Sequence, residues 1–316
     1  MTPTQRLFFL LLVALTLACH KTPATQQGAP ARKDISIQRQ ELQIRELAKQ
    51  IEHIAAAAGG HVGVAAGILE TGESVSLNAH DHFPMQSVYK LPIGMAVLKQ
   101  VEAGKIRLDQ TVVVTKSDFV RAGQYSPIRD QNPKGVELNV AELLRYAISE
   151  SDGTASDVLM KLAGGPMVIQ SYVRDLKIIE MTVVNTEKEI GEDWETQYRN
   201  WATPEAAVAL LAALQERQGL SERTQALLLK LMTDATRGAK RLKGLLPPST
   251  IVAHKTGTSG TQKGVTAATN DIGVITFPNG RHLAIAVFVS DSPADEATRE
   301  GVIAKVAKVV WDEWSK

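Results

Sequence analysis

Met85-Gln86-Ser87-Val88-Tyr89-Lys90-Leu91-Pro92-Ile93-Gly94 is the stretch on which the reading of this chain turns. Ser87 and Lys90 stand three residues apart, a spacing that matters on a helix, where i and i+3 share a face. Pro84 interrupts the chain just before, and Leu91, Ile93, Met95, Ala96, Val97 and Leu98 form an apolar run after it. The pattern predicts a buried helix with Ser87 in its first turn and its end near Gly104. A hydroxyl there lies in the positive end of the helix dipole, beside N–H groups without intrahelical partners. A desolvated Lys90 one turn on can give up its proton and act as a base. The plainer reading is an N-cap serine and a surface lysine, because Ser-x-x-Lys alone is common.

Length and composition set the bounds. The chain has 316 residues, enough for one large domain or two intimate lobes, and its 44% apolar and 22% charged content is that of a globular protein. Basic and acidic residues balance at 35 against 34, and no Lys/Arg block follows an apolar segment, so nothing resembles a nucleic-acid footprint. Cys19 is the single cysteine, which rules out an internal disulfide. Residues 1–18 read as an export signal: Arg6, an apolar run from Leu7 to Leu15, and the small Ala18 at a cleavage position. As a helix, residues 7–18 would cover about 18 Å, too short for a ~30 Å hydrocarbon core. Residues 19–37 read as a flexible tether to a catalytic domain over 38–316.

Ile44, Leu47, Ile51 and Ile54 recur at helical spacing, predicting an amphipathic helix over 36–57 that Gly59-Gly60 stops. Residues 62–69 and 74–78 read as a hairpin around Glu70-Thr71-Gly72-Glu73. Helical patterns prevail from 104 to 231, with a capping box at Asn139–Glu142 and N-caps at Thr203 (Pro204 at N1) and Ser221. Strands return at 250–255, 271–277 and 282–289, and a helix over 293–316 closes the chain. Strands at both ends with helices between predict an α+β fold. An α/β lobe over 38–85 and 237–316 holds an all-helical lobe over 86–236.

Two further motifs complete the pattern. Ser151-Asp152-Gly153 lies just past the end of a predicted helix, where it also fits a plain helix stop. His254-Lys255-Thr256-Gly257-Thr258-Ser259-Gly260 follows a β-branched strand and places Lys255 at a strand edge before a loop. Gly257 there lets a ligand approach the backbone. Ser-x-x-Lys, Ser-Asp-Asn and Lys-Thr-Gly in this order are the set shared by class A β-lactamases and penicillin-binding proteins. From residue 38 onward the sequence resembles a class A serine β-lactamase of the PER/VEB-like branch. Tyr125-Ser126-Pro127-Ile128, Gln197-Tyr198-Arg199-Asn200-Trp201 and Ala267-Ala268-Thr269-Asn270-Asp271 add to the likeness.

The resemblance implies a β-lactamase/transpeptidase-like fold, a five-stranded antiparallel sheet flanked by the terminal helices beside an all-helical lobe. It implies Ser87 as nucleophile, an oxyanion hole from the N–H groups of Ser87 and Thr258, Ser151 as proton relay and Lys255 as the charge that holds the network. Either Lys90 or the glutamate takes the serine proton. Glu187 is the implied deacylating base; Glu195 with Asn200 comes close to the common Trp-Glu-x-x-x-Asn pattern but is one residue too long. Glu189, Glu192 and Glu195 then belong to a solvated acidic loop. Asp152, Gly153, Thr256, Gly257, Thr258 and Ser259 are implied substrate-binding positions. Arg241 is the implied carboxylate ligand, or else a surface arginine. Tyr125 is the implied aromatic gate, or else an exposed loop tyrosine. Gly153 stands where the family has an asparagine that bonds the substrate amide, and Gly191 where an asparagine or histidine helps fix the deacylating water; both imply altered binding or slower turnover.

No cofactor is implied. His80-Asp81-His82 resembles a zinc pair but lacks a third ligand cluster, so a loop without metal is expected. The small-residue–Cys19 junction resembles a lipoprotein signal, which implies an exported, periplasmic protein, lipid-anchored through Cys19 or soluble, acting as a monomer on β-lactams. A D-Ala-D-Ala peptidase of the same chemistry, or a non-hydrolytic β-lactam sensor, are the rival readings.

Overall fold

The computed structural model describes the backbone of residues 30–315 and side chains from residue 38 on; the stretch expected to be an export signal and Cys19 lie outside the described residues. Helix α1, Pro30–Ala55, starts six residues before its expected position. Pro30 fits a first helical turn, because its fixed φ and missing N–H cost nothing there, and Ala31, Arg32 and Lys33 are good helix formers. The chain divides at Glu41/Leu42, and the unit Leu42–Lys316 carries everything below.

Its centre is an antiparallel sheet of β1 (His61–Ile68), β2 (Ser74–Leu77), β3 (Ile251–Thr258), β4 (Val265–Thr276) and β5 (His282–Ser292), ordered β2-β1-β5-β4-β3. A two-residue strand, Thr261–Gln262, pairs with the start of β4 and makes six strands where five were expected. Every residue from Leu283 to Ser290 is buried because both faces of β5 are covered. Leu283, Ile285, Val287 and Val289 pack with Leu47 and Ile51 of α1 and with Val302, Val306 and Val310. Ala284, Ala286 and Phe288, on the opposite face, join the core of the helical lobe. Strand β3 runs on through the Lys-Thr-Gly motif, because β4 supplies partners as far as Thr258: Lys255 pairs with Ile272 and Gly257 with Asn270. Lys255 is therefore inside a strand and not beside a loop.

The helices are α2 (Lys90–Glu102), α3 (Pro127–Gln131), α4 (Val140–Ile148), α5 (Gly153–Ala163), α6 (Pro166–Asp175), α7 (Glu187–Ile190), α8 (Pro204–Gln215), α9 (Glu222–Thr233) and α10 (Glu296–Trp314). The expected caps form: Asn139 Oδ1 accepts from Glu142 N at 2.9 Å, and Thr203 Oγ1 from Ala206 N at 3.1 Å. Ser87 is not in the first α-helical turn. It lies in a tighter 3-10 turn, Gln86–Tyr89, and α2 begins only at Lys90. Pro92 explains the offset, since proline without an N–H suits the first turn of an α-helix and so marks where that helix starts. Among the described residues no helix is long and apolar enough to cross a membrane.

Candidate active site

The turn that carries Ser87 is held from three sides. Met85 N donates to Asn200 O at 2.9 Å. Asn270 Nδ2, on β4, donates to Pro84 O at 2.8 Å and Met85 O at 3.2 Å. On the third side β3 approaches so closely that a Cβ at residue 257 would lie 2.3 Å from Met85 O; only glycine fits. Gln86 takes a left-handed φ of 48°, which its side-chain bond to Gln197 Oε1 (2.8 Å) helps to offset. Ser87 emerges partly exposed on a cleft of about 650 Å³ between the sheet edge and the helical lobe.

Behind Ser87 lies a chain of buried polar groups. Lys90, 1% exposed, donates to Ser151 O at 2.8 Å and stands 3.3 Å from Glu187 Oε2. Lys255, 2% exposed, donates to Ser151 Oγ at 2.8 Å and to Thr256 O at 3.1 Å. Burial, and then the neighbouring charge of Lys90, hold the Lys255 ammonium well below the ordinary lysine range. Ser151 joins the two lysines from a left-handed backbone (φ 62°), a conformation that serine adopts only under constraint. Tyr89 OH donates to Glu187 Oε2 at 3.0 Å. Burial, followed by the charge of Glu187, pushes the phenol well above its usual range, so it stays a donor. Glu187 N donates to Asp157 Oδ1 at 2.6 Å and Lys188 N to Asp157 Oδ2 at 2.9 Å. Burial and then Glu187 raise the Asp157 carboxyl to about 7. Ser87 with Lys90, Ser151, Glu187 and Lys255 thus converge from four segments far apart in sequence.

The opposite wall is cationic. Arg241, 4% exposed, is no surface residue. It donates to Gly257 O (3.2 Å), Asn270 O (2.9 Å) and Thr258 Oγ1 (2.8 Å), and Glu300 pairs with its Nε at 3.0 Å. Thr256, Thr258 and Ser259 line the same cleft. Ser259 Oγ is engaged with the backbone, accepting from Ala268 N at 2.8 Å. Tyr125 is exposed at the mouth, and the guanidinium of Arg237 lies 3.9 Å above its ring.

Several expectations need correction. Asp152, expected to bind substrate, is fully buried and caps α5: it accepts from Ala155 N and Ile128 N, each at 2.8 Å, and from Ser126 Oγ at 3.1 Å. Its burial raises its pKa against those bonds. Gly153 is also buried, and a Cβ there would lie 2.8 Å from Glu187 Cγ and 3.2 Å from Tyr125 O. Glu189 is not simply solvated; its Oε2 accepts from Thr186 N at 2.8 Å and closes a capping box. Glu192 pairs with Arg121 at 2.7 Å and Glu195 is exposed. Asn200, considered as a partner of Glu195, instead accepts from Val184 N (2.8 Å) and Asn185 N (2.9 Å) and closes the loop. His80, Asp81 and His82 diverge to Glu205, His61 and Glu180 respectively. Among the described residues no group of three or more His, Cys, Asp or Glu could hold a metal ion.

Sequence reasoning missed Asp157, Tyr89, Gln124 and Arg237. Asp157 left one signal, a carboxylate inside the otherwise uncharged first turns of a buried helix. Tyr89 sits inside the Ser-x-x-Lys motif and reads as core. Gln124 and Arg237 left none.

A family model described as the β-lactamase enzyme family matches residues 46–314. The chain is 43% identical over 267 residues to the extended-spectrum β-lactamase PER-1 of Pseudomonas aeruginosa, covering 84% of this chain and 86% of that protein. It is 39% identical over 272 residues to VEB-1 of the same organism, covering 85% and 91% respectively. Among solved structures, a β-lactamase from Chitinophaga pinensis superposes with a TM-score of 0.82 at 45% identity, over 84% of this chain and 98% of that one. TLA-1 extended-spectrum β-lactamase gives 0.83 at 41% identity, over 86% and 99%. With the family model spanning nearly the whole described chain and these relatives sharing both fold and two-fifths of its residues, the chain belongs to the β-lactamase enzyme family.

Proposed function

We propose that the chain is a serine β-lactamase that opens the lactam ring through an ester on Ser87 and frees itself with water activated by Glu187. The observation that carries this reading is the Glu187 carboxylate, 3.3 Å from Lys90 and 3.0 Å from Tyr89, on the wall of the cleft that Ser87 enters. A penicillin-trapped peptidase lacks such a base.

In acylation Ser87 Oγ adds to the lactam carbonyl while its proton passes to Lys90 or Glu187. The N–H groups of Ser87 and Thr258 take the developing oxyanion, where loss of one donor costs about 3–4 kcal/mol. As the C–N bond breaks, the nitrogen takes the hydroxyl proton of Ser151. Lys255 already donates to Ser151 Oγ, which leaves that hydrogen for the nitrogen. The proton that left Ser87 makes the loss good. In deacylation Glu187 takes a proton from water, hydroxide adds to the ester carbonyl, and the C–O bond to Ser87 breaks as the serine is reprotonated. The substrate carboxylate is bound by Thr256, Thr258 and Arg241, with Glu300 limiting the net charge there. The scheme calls for no residue beyond those named, so a monomer suffices for it.

Purified protein given a chromogenic cephalosporin is expected to turn over many equivalents steadily, and Ser87→Ala to lose roughly 10⁴-fold or more. A single stoichiometric burst contradicts the reading. The leader supports export to the periplasm, with Cys19 as an acylated N-terminus. Labelling with a fatty-acid analogue in a bacterial host is expected to mark the protein, and Cys19→Ser to remove the label; an unlabelled wild type favours the soluble form.

A further inference from the structure

Helix α7, which carries Glu187, is a single turn of four residues, too short to be fixed by its own hydrogen bonds. Its position is set by what grips it. Asp157 holds the N–H side of Glu187. On the carbonyl side, Gln124 Nε2 donates to Glu187 O, which also accepts from Gly191 N at 3.2 Å. Gln124 is itself aimed by its loop, since its Oε1 accepts from Arg121 N at 3.0 Å. Two more bonds bind that loop to the α7 segment: Arg121 Nε donates to Lys188 O at 3.1 Å, and its Nη2 meets Glu192 at 2.7 Å.

Gly191 completes the arrangement. A Cβ at residue 191 would lie 2.5 Å from Gln124 Cδ, 2.6 Å from Oε1 and 2.7 Å from Nε2. A side chain at 191 and the Gln124 amide therefore compete for one volume. The amide also lines the cleft that Ser87 and Glu187 share.

We propose that Gln124 is a positioning residue for Glu187 in deacylation, and that Gly191 is the space its amide requires. The inference rests on Glu187 being the deacylating base. It also couples the loop that carries Tyr125 at the cleft mouth to the base on its wall.

The test uses the full-length protein and a chromogenic cephalosporin. Burst kinetics give acylation, steady-state rates give turnover, and mass spectrometry gives the acyl-enzyme, for Gln124→Ala, Gln124→Met, Gly191→Ala, the Gln124→Ala/Gly191→Ala pair and Glu187→Gln. A retained burst amplitude reports folded, competent enzyme, and Gln124→Met keeps the bulk while removing the amide. We expect Gln124→Ala, Gln124→Met and Gly191→Ala each to lower deacylation about ten-fold with acylation within about three-fold, so that adduct accumulates. The double variant should be no slower than the slower single one, because both changes remove the same contact. Unchanged turnover in the Gln124 variants, equal loss in both steps, or multiplicative losses in the double variant would overturn the proposal. If Glu187→Gln accumulates adduct while the Gln124 variants behave as wild type, only the role of Gln124 fails. If Glu187→Gln accumulates none, the assignment of the base fails and this proposal with it.

Discussion

Gly153 shows how one missing side chain can be a requirement of the site. By comparison with relatives the position suggests a lost substrate contact, yet the space beyond its Cα is filled by Glu187 Cγ and the Tyr125 carbonyl. Restoring a side chain there must move the glutamate before it can reach a substrate. Gly153→Asn is therefore expected to slow deacylation more than acylation, by about ten-fold or more, since a shift of an ångström in a catalytic group can cost 100-fold. Separate measurement of the burst and steady-state rates checks this, and faster turnover would contradict it. Residue types were legible where the chemistry demands them, as with Ser87, Lys90, Ser151 and Lys255. Arg241 was not, because charge alone cannot distinguish a surface arginine from one buried on strand carbonyls. Asp152 misled for the opposite reason: its place in the motif suggested a ligand contact, while its carboxylate is spent on the Ser126 hydroxyl and the N–H groups of Ile128 and Ala155.

At the scale of elements, the loop between α6 and α8 decides how the base is presented. Its ends are joined by Asn200, and its middle rests on Asp157 through two N–H groups. The sign of the pH effect follows from the raised carboxyl of Asp157, at about 7 against an ordinary 3.8. Between those values the folded state holds a proton that the unfolded state has lost, so this group makes stability fall as pH rises through the window. The slope stays below the one-proton ceiling of about 1.4 kcal/mol per pH unit. Denaturant titrations from pH 4.5 to 7.5 are expected to show Asp157→Asn losing that component, so that the deficit of the variant against wild type shrinks as pH rises. A deficit constant across the range contradicts this. The loop was legible only in part, since spacing located Glu187 by likeness to relatives but could not reveal the one-turn helix or the aspartate beneath it. The nucleophile turn was misplaced by a few residues because the apolar run marks a buried helix, whereas Pro92 marks its true start.

For the whole molecule, the sheet acts as a rigid back wall whose edge strand carries Lys255, Thr256 and Thr258, while the helical lobe brings Ser87, Ser151 and Glu187 to meet it. Alternation along β5 feeds two separate cores, which is why its nearly unbroken apolar run could be read as a strand and its neighbours paired. The α+β class and the order of elements were accessible because strand and helix periods differ. Convergence of four distant segments on one cleft depends on contacts far apart in sequence, which no local pattern encodes. The central claim is that an ester forms on Ser87 and that the carboxylate of Glu187 releases it. Mass spectrometry of Glu187→Gln incubated with a penicillin tests it most directly. A persistent species is expected, heavier than the free protein by the intact mass of the drug and mapping to Ser87, where wild type clears it within its turnover time; an unmodified Glu187→Gln protein, or one that turns over at the wild-type rate, would rule out these roles for Ser87 and Glu187.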